Sequence, residues 1–308
     1  MKIACFQFDR LQKNQFEKIF SEIKVFSGPL SEKNIGKVLD TEIIVSRPKG
    51  SLLKFDSRVL SKFKDLKIIF TMSTGFDHID LAYCKIKGIH VCNVPSYSES
   101  SVAEQTFALI LSISRKMVSS SKKGPNKNKN LTGFELKGKI LGVIGSGKIG
   151  LEVIKIAKGF RMDVLAYDVV KNQKASQELV YEYVKLDDLM RESDIITVHA
   201  PYNEHTYHLL NKDNLSIVKK GCVLINTSRG ELVESRALYN SIKSKRLSAA
   251  GLDVLEKGSK YNRGLIRMRN VILTPHNSAN TIESKNKVLE ETIKNIASFI
   301  KGEIRNEI

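Results

Sequence analysis

The sequence predicts an α/β protein built on parallel sheets, with helices on both faces of each sheet. Three observations carry that reading. From residue 139 onward, near-continuous apolar, β-rich runs alternate with segments of helical length, the pattern of strands buried on both faces. The glycine pattern "GVIGSGKIG" directly follows one of these runs and opens a helix-like segment. Polar, chemically capable residues also collect where the runs end, and ligands of open parallel sheets sit outside the carboxyl ends of the strands.

The elements follow in order. "MKIACFQF" reads as the first strand; it is too short for a secretory leader and has no small-residue cleavage site. "TEIIVSR" (41–47), "LKIIFTMS" (66–73) and "GIHVCNV" (88–94) read as further strands, each followed by turn residues. From Glu99 to Val118 the apolar positions Val102, Ala103, Phe107, Ala108, Ile110 and Leu111 follow helical spacing. That predicts one long helix with Ser98 as its N-cap, leading into a polar loop and a second domain. "KILGVIG", "DVLAYD", "DIITVHA", "CVLINTS", "AAGLDVL" and "VILTPH" then supply six strands. "SKNKVLEETIKNIASFIKG" (284–302) is an amphipathic C-terminal helix.

Composition narrows the class. The 308 residues suffice for two domains, and 42% hydrophobic with 27% charged content is ordinary for a soluble protein. No apolar run reaches the roughly 20 residues of a membrane span. Cys5, Cys84, Cys92 and Cys222 form no CxxC pair and read as buried reduced thiols of a cytoplasmic protein, with no metal site. Fifty Lys and Arg against 33 Asp and Glu give a net charge of +17, a field that attracts nucleotides and small carboxylates. The dense basic run "KKGPNKNKN" (122–130) reads as a loop and contains no aromatic for base stacking, so no specific nucleic-acid role is assigned.

The chemistry lies at the strand ends. Gly145, Gly147 and Gly150 stand in G-x-G-x-x-G order. The first permits a tight turn, the second lets backbone approach a pyrophosphate, and the third allows close helix–strand packing at a helix N-terminus. Asp168 follows Gly150 by eighteen residues at the end of the next strand, where an acid receives the ribose 2′-hydroxyl of NAD. A carboxylate there repels a 2′-phosphate, which favours NAD; Lys171 leaves NADP open. Arg229 follows a strand end in "INTSRG" and can fork onto a carboxylate or carbonyl oxygen. His276 follows Pro275 at the last strand end and can pass a proton to or from a substrate oxygen. Asp253, at another strand end, is a candidate acceptor for the nicotinamide carboxamide. His199 in "VHAP" reads as a backbone-shaping neighbour of the cofactor, and His78, His90, His205 and His208 as incidental.

With these residues in hand, the chain resembles the D-isomer-specific 2-hydroxyacid dehydrogenases, among them D-3-phosphoglycerate, glycerate and D-lactate dehydrogenases. The resemblance runs from about residue 40 to the C-terminus. It rests on "STGFDHIDL", "NVPSYSESSVAEQTFALIL", "ELKGKILGVIGSGKIG", "LINTSRGELVESRAL", "AAGLDVLE" and "NVILTPH". It implies a flavodoxin-like substrate domain (1–98 with 281–308) and a Rossmann NAD-binding domain (99–280) inserted in it. By resemblance, backbone at Thr74 and Gly75 meets the substrate carboxylate, and Thr106 lies near the nicotinamide. Lys148 and Ile149 contact the pyrophosphate, and Pro201, Thr227 and Ser228 the rest of the cofactor. Arg229 holds the substrate and polarises its carbonyl, and His276 exchanges the proton. A homodimer is likewise implied.

One departure stands out. The family's Glu five residues after the Asp matching Asp253 is here Gly258, and the span from Asp253 to His276 is one residue short. Either Glu256 takes that role through a re-routed loop, or His276 works without a carboxylate at that place. The chain also has no Trp, and the loop before the Rossmann domain is short. Two functions follow: an NAD-dependent reductase of a small 2-oxo acid such as glyoxylate, hydroxypyruvate or pyruvate, or an NAD(H)-sensing binding protein with little turnover. Retention of both Arg229 and His276 favours the enzyme.

Overall fold

The computed structural model describes residues 1–48, 54–118 and 131–308, and the basic run 122–130 lies outside them. The chain divides into two compact units, Met1–Tyr97 with Ile282–Ile308, and Ser98–Thr281.

The first unit runs β1 (Ile3–Phe6), α1 (Arg10–Ile19), β2 (Ile23–Phe26), α2 (Glu32–Ile35), β3 (Ile43–Ser46), α3 (Ser57–Leu60), β4 (Ile68–Thr71), α4 (Leu81–Lys87) and β5 (His90–Cys92). Its five parallel strands lie in the order β2-β1-β3-β4-β5, the flavodoxin-like arrangement. β1, β3 and β4 are buried along their whole length, which is why their sequences are apolar but for the closing Ser46 and Thr71. Side chains set the helix starts: Asp9 accepts from the Gln12 N–H at 2.9 Å, and Asp80 from the Tyr83 N–H at 2.9 Å. The C-terminal helix, Ile282–Ile300, buries Val288, Leu289 and Ile296 against Ile3, Cys5, Val45 and Phe70 of this sheet.

The second unit opens with α5 (Glu99–Ser114). It continues through β6 (Ile140–Ile144), α6 (Lys148–Gly159), β7 (Asp163–Tyr167), α7 (Gln173–Leu179), β8 (Glu182–Tyr183), α8 (Leu186–Glu192) and β9 (Ile195–Val198). α9 (Lys212–Ile217), β10 (Cys222–Asn226), α10 (Ser235–Lys243), β11 (Leu247–Leu252), α11 (Asn262–Arg267) and β12 (Val271–Leu273) complete it. The seven strands are parallel in the order β12-β11-β10-β9-β6-β7-β8. This is the doubly wound order with one added edge strand, and its switch point lies between β6 and β9. One face buries Ile144, Ile196, Val198, Leu224 and Leu252; the other buries Leu141, Val143, Val223 and Ile225 with Phe107 and Ile110 of α5.

α5 ends at Ser114, four residues before the boundary that periodicity suggested. The Ser114 carbonyl accepts from the Phe134 N–H at 3.0 Å, and Lys116 turns to φ 55°, so the helix cannot continue. Ser98 occupies the N-cap without a side-chain cap bond; its carbonyl instead accepts from Ser101 Oγ at 3.0 Å and from the Val102 N–H at 2.9 Å. All four cysteines are free and buried. No helix among the described residues is long and apolar enough to cross a membrane.

Candidate active site

The glycine loop sits at the switch point. β6 ends at Ile144, whose carbonyl accepts from the His199 N–H at 2.7 Å, while the Gly145 N–H donates to the Tyr167 carbonyl at 2.8 Å. The loop is thereby pinned to the strands on either side. Gly145 takes φ 92°, and a Cβ on it would meet the Ala200 nitrogen at 2.6 Å. A Cβ on Gly150 would lie 2.1 Å from the Gly145 carbonyl oxygen, so α6 can approach the loop only because that position is glycine. Gly147 differs: a Cβ there would meet nothing within 4 Å. No packing against protein requires glycine at 147, whereas close approach of a pyrophosphate does. Gly147 and Lys148 are exposed at the start of α6 and Ile149 is half-buried, leaving the positive end of that helix open to an anion. These residues fit a dinucleotide.

Asp168 follows β7 and lies beside this loop. Its Oδ2 accepts from the Ser146 N–H at 2.6 Å, and its Oδ1 from the Val170 N–H at 3.0 Å. A depression of about 460 Å³ next to it is lined by Tyr167, Asp168, Lys171, Tyr183 and Lys185, among others. His199 follows β9, with its N–H on the Ile144 carbonyl. Burial drives its pKa down from 6.5 to about 3, so its ring is neutral, and Nε2 lies 2.9 Å from Thr197 Oγ1.

The ends of β10, β11 and β12 lie level. Asn226 is in register with Leu252, and Leu252 with Leu273. Arg229 and His276 each follow a strand end by three residues, on strands two positions apart. At the strand ends that is roughly 10 Å, two inter-strand spacings. The segment between β10 and α10 is held by the Asn226 side chain, which donates to the Arg229 carbonyl at 2.8 Å and accepts from the Ser228 N–H at 3.0 Å. Ser228 Oγ donates to the Ala200 carbonyl at 2.7 Å, bridging to the segment that carries exposed Pro201. Arg229 itself is half-buried.

Two further site candidates are held by hydrogen bonds within the protein. Thr106, expected near the nicotinamide, is fully buried; its hydroxyl donates to the Val102 carbonyl at 2.9 Å and accepts from Thr227 Oγ1 at 3.1 Å. Asp253, read as a carboxamide acceptor, is 1% exposed. It accepts from the Asn277 N–H at 3.0 Å, the Ser278 N–H at 3.0 Å, Ser278 Oγ at 2.5 Å and the Thr274 hydroxyl. The strand therefore stops on a carboxylate because that carboxylate builds the turn that carries His276. His276 lies at φ 50°, a left-handed conformation costing roughly 1–2 kcal/mol. The Asp253 carbonyl accepts its N–H at 2.9 Å.

Glu256 is engaged elsewhere. Its Oε1 lies 2.8 Å from His208 Nε2, and its Oε2 accepts from the Ser235 N–H at 3.0 Å, at the start of α10. Burial alone would raise its carboxyl, but the Ser235 N–H and His208 more than offset this and hold it below the ordinary carboxylate value. His208 thus has a carboxylate partner, as does His90, whose Nδ1 lies 2.6 Å from Glu307 Oε1. Gly258 takes φ 75°, a backbone that a glutamate would adopt only with strain.

In the other unit, the "STG" turn after β4 is built from its own side chains. Thr71 donates to Ser73 Oγ at 2.8 Å, and Ser73 Oγ to the Gly75 carbonyl at 2.6 Å. Thr74 Oγ1 donates to the Val94 carbonyl at 3.0 Å, and Asn93 to the Thr74 carbonyl at 2.9 Å. Backbone N–H groups are thereby left as the groups this turn can offer a ligand.

A doubly wound parallel sheet with a glycine loop at its switch point defines a dinucleotide-binding protein. The family model described as "D-isomer specific 2-hydroxyacid dehydrogenase, NAD binding domain" matches residues 107–278. The chain is 34% identical to a glyoxylate reductase of Thermococcus litoralis, covering 99% of this chain and 96% of that one. It is 38% identical to a hydroxypyruvate reductase of Thermotoga maritima over 89% of this chain and 90% of that one. A crystal structure of D-lactate dehydrogenase from Aquifex aeolicus, complexed with NAD and lactic acid, superposes with a TM-score of 0.89 at 35% identity, covering 98% and 96% of the two chains. The chain belongs to the D-isomer specific 2-hydroxyacid dehydrogenase family. It is an oxidoreductase of 2-oxo and 2-hydroxy acids whose cofactor is NAD or NADP.

Proposed function

We propose that the chain is an NADH-dependent reductase of a small 2-oxo acid such as glyoxylate or hydroxypyruvate, forming in the reducing direction the 2-hydroxy acid, of D configuration where that product is chiral. The observation that carries this reading is the placement of Arg229 and His276 on the edge of the sheet that also bears the glycine loop. In this reading Gly145, Gly147, Lys148, Ile149 and Gly150 hold the pyrophosphate, Asp168 the adenosine ribose, and Pro201, Thr227 and Ser228 the remainder. Asp168 favours NADH over NADPH, because a carboxylate repels a 2′-phosphate and the next two residues are Val169 and Val170. When bound, the nicotinamide supplies the hydride to the carbonyl carbon, or accepts it in reverse.

The side chains do the rest. Arg229 forks onto the substrate carboxylate and draws charge toward the carbonyl oxygen. His276 gives its proton to that oxygen as the hydroxyl forms and recovers it in the oxidising direction. Backbone at Thr74 and Gly75 is assigned to the substrate carboxylate. The glyoxylate and hydroxypyruvate named for the relatives support a small substituent, hydrogen or hydroxymethyl, on the carbonyl carbon. The test is the chirality of the product from hydroxypyruvate. D-glycerate from wild type, with turnover lost in Arg229→Ala, supports the reading; L-glycerate, or turnover that survives in Arg229→Ala, refutes it.

A further inference from the structure

Asp168 is held by more than its neighbours. Ser146, the residue between the first two glycines, places Oγ 3.2 Å from Asp168 Oδ2 and 2.7 Å from the Tyr183 hydroxyl. The Tyr183 hydroxyl in turn lies 3.0 Å from the Tyr181 hydroxyl and accepts from the Asn172 N–H at 3.0 Å. Proton counting fixes the directions. An ionised carboxylate only accepts, so Ser146 donates its single proton to Asp168. Tyr183 must then donate to Ser146, and its two lone pairs take the Asn172 N–H and the Tyr181 proton. Every hydroxyl in the chain from Tyr181 through Tyr183 and Ser146 to Asp168 is satisfied. Burial, together with Tyr183, raises the Tyr181 phenol well above its ordinary value, so the end of the chain stays a donor.

The chain ties three segments to one point. Tyr183 lies on β8 beside Ala166 of β7. Ser146 belongs to the glycine loop, and Asn172 both ends the segment after Asp168 and caps α7 by accepting from the Ala175 N–H at 3.0 Å. The Lys171 ammonium, the nearest cation in sequence to Asp168, sits 5.9 Å from the centre of the Tyr183 ring, within cation–π range. One phenol thus fixes the loop, orients the acid and occupies the lysine.

We propose that Ser146 and Tyr183 are positioning residues for cofactor selectivity: their hydroxyls hold the Asp168 carboxylate toward the ribose and thereby set the preference for a 2′-hydroxyl over a 2′-phosphate. This rests on the assignment of Asp168 to the ribose. Without the chain the carboxylate keeps the Ser146 and Val170 N–H groups but loses the hydroxyl on Oδ2, so its orientation is less tightly fixed and both the repulsion of a phosphate and the bond to the hydroxyl weaken.

Isothermal titration calorimetry of the full-length protein with NADH and with NADPH tests this independently of turnover. The variants are Ser146→Ala, Tyr183→Phe, Asp168→Ala and the double variant Ser146→Ala/Asp168→Ala. Tyr183→Phe keeps the ring under Lys171 and removes only the hydroxyl, so it reads the hydrogen bond without emptying the packing. Wild type should prefer NADH. Ser146→Ala and Tyr183→Phe should each weaken NADH binding about three- to tenfold, the worth of one hydrogen bond, with NADPH affinity unchanged or improved. In the Asp168→Ala background, Ser146→Ala should change nothing further. A preference lost in Asp168→Ala but intact in Ser146→Ala and Tyr183→Phe would overturn the positioning role and leave the ribose assignment standing. A preference unchanged in Asp168→Ala would overturn both.

Discussion

Replacing Asp253 with asparagine separates two roles that the residue could play. The carboxylate is 1% exposed and accepts four hydrogen bonds, two on each oxygen. Asparagine keeps the shape but turns one oxygen into an NH₂ group. If the NH₂ takes the Oδ1 place, the Thr274 hydroxyl can rotate to accept, but the Asn277 N–H is stranded. In the Oδ2 place, Ser278 Oγ can adapt and the Ser278 N–H is stranded. A stranded buried N–H costs about 1–3 kcal/mol, and exchanging charge-assisted bonds for neutral ones adds about 1 kcal/mol. Asp253→Asn should therefore lose about 2–4 kcal/mol in urea unfolding. The turn that holds His276 should loosen with it, lowering kcat at least about tenfold. Cofactor affinity should change little, because the carboxylate has no lone pair turned outward. A variant with wild-type stability and severalfold weaker NADH binding would refute this account and support Asp253 as the carboxamide acceptor.

Other outcomes follow from the same geometry. A Cβ at Gly230 would lie 2.1 Å from the Leu255 carbonyl carbon and 2.4 Å from the Glu256 nitrogen. Both obstacles are backbone, so Gly230→Ala should destabilise by roughly 1–3 kcal/mol and displace the 255–256 segment; a melting temperature equal to wild type contradicts this. Acid should destabilise the protein in two stages. His199 titrates at 6.5 when unfolded and at about 3 in the fold. Its contribution is therefore complete above pH 6.5 and lost as pH falls below that, by roughly 2 kcal/mol at pH 5. Glu256 is depressed below 4.5, so its contribution is present above that pH and lost beneath it. Urea midpoints independent of pH between 7 and 5 would count against the first stage. Glu256→Gln should flatten the second stage and leave the pH dependence of turnover unchanged; a shifted turnover profile would give Glu256 a part in the chemistry.

Much of the second unit was legible because its signals are local. Buried parallel strands such as "CVLIN" and "IITV" are apolar at all but one position each, and the glycine spacing follows from contacts within a single βα turn. β2 and β8 were not legible: both are edge strands, β2 is only partly buried and β8 has two residues. Arg229, His276 and Asp168 were singled out from their places at strand ends. The partners of Asp253, Thr106 and Glu256 were not, because each depends on how distant segments meet. Glu256 and His208 are 48 positions apart, and Thr106 and Thr227 are 121 apart. Ser146 carried no signal in the sequence, since its partner Tyr183 lies 37 residues on. Hydrogen-bond saturation is a tertiary property, and it decides whether a buried polar residue contacts a ligand or supports one that does.

The central claim is that Arg229 and His276 act together in reducing a small 2-oxo acid with NADH. Its most direct test is the rate of NADH oxidation with glyoxylate and with hydroxypyruvate in wild type, Arg229→Ala and His276→Ala, with NADH affinity measured alongside. The account predicts turnover with at least one of the two acids. It predicts a loss of at least about a hundredfold in each variant, the usual worth of an acid–base group for His276 and of a charge-stabilising donor for Arg229, with NADH binding retained. No turnover with either acid despite tight NADH binding, or turnover that survives loss of His276, would contradict it.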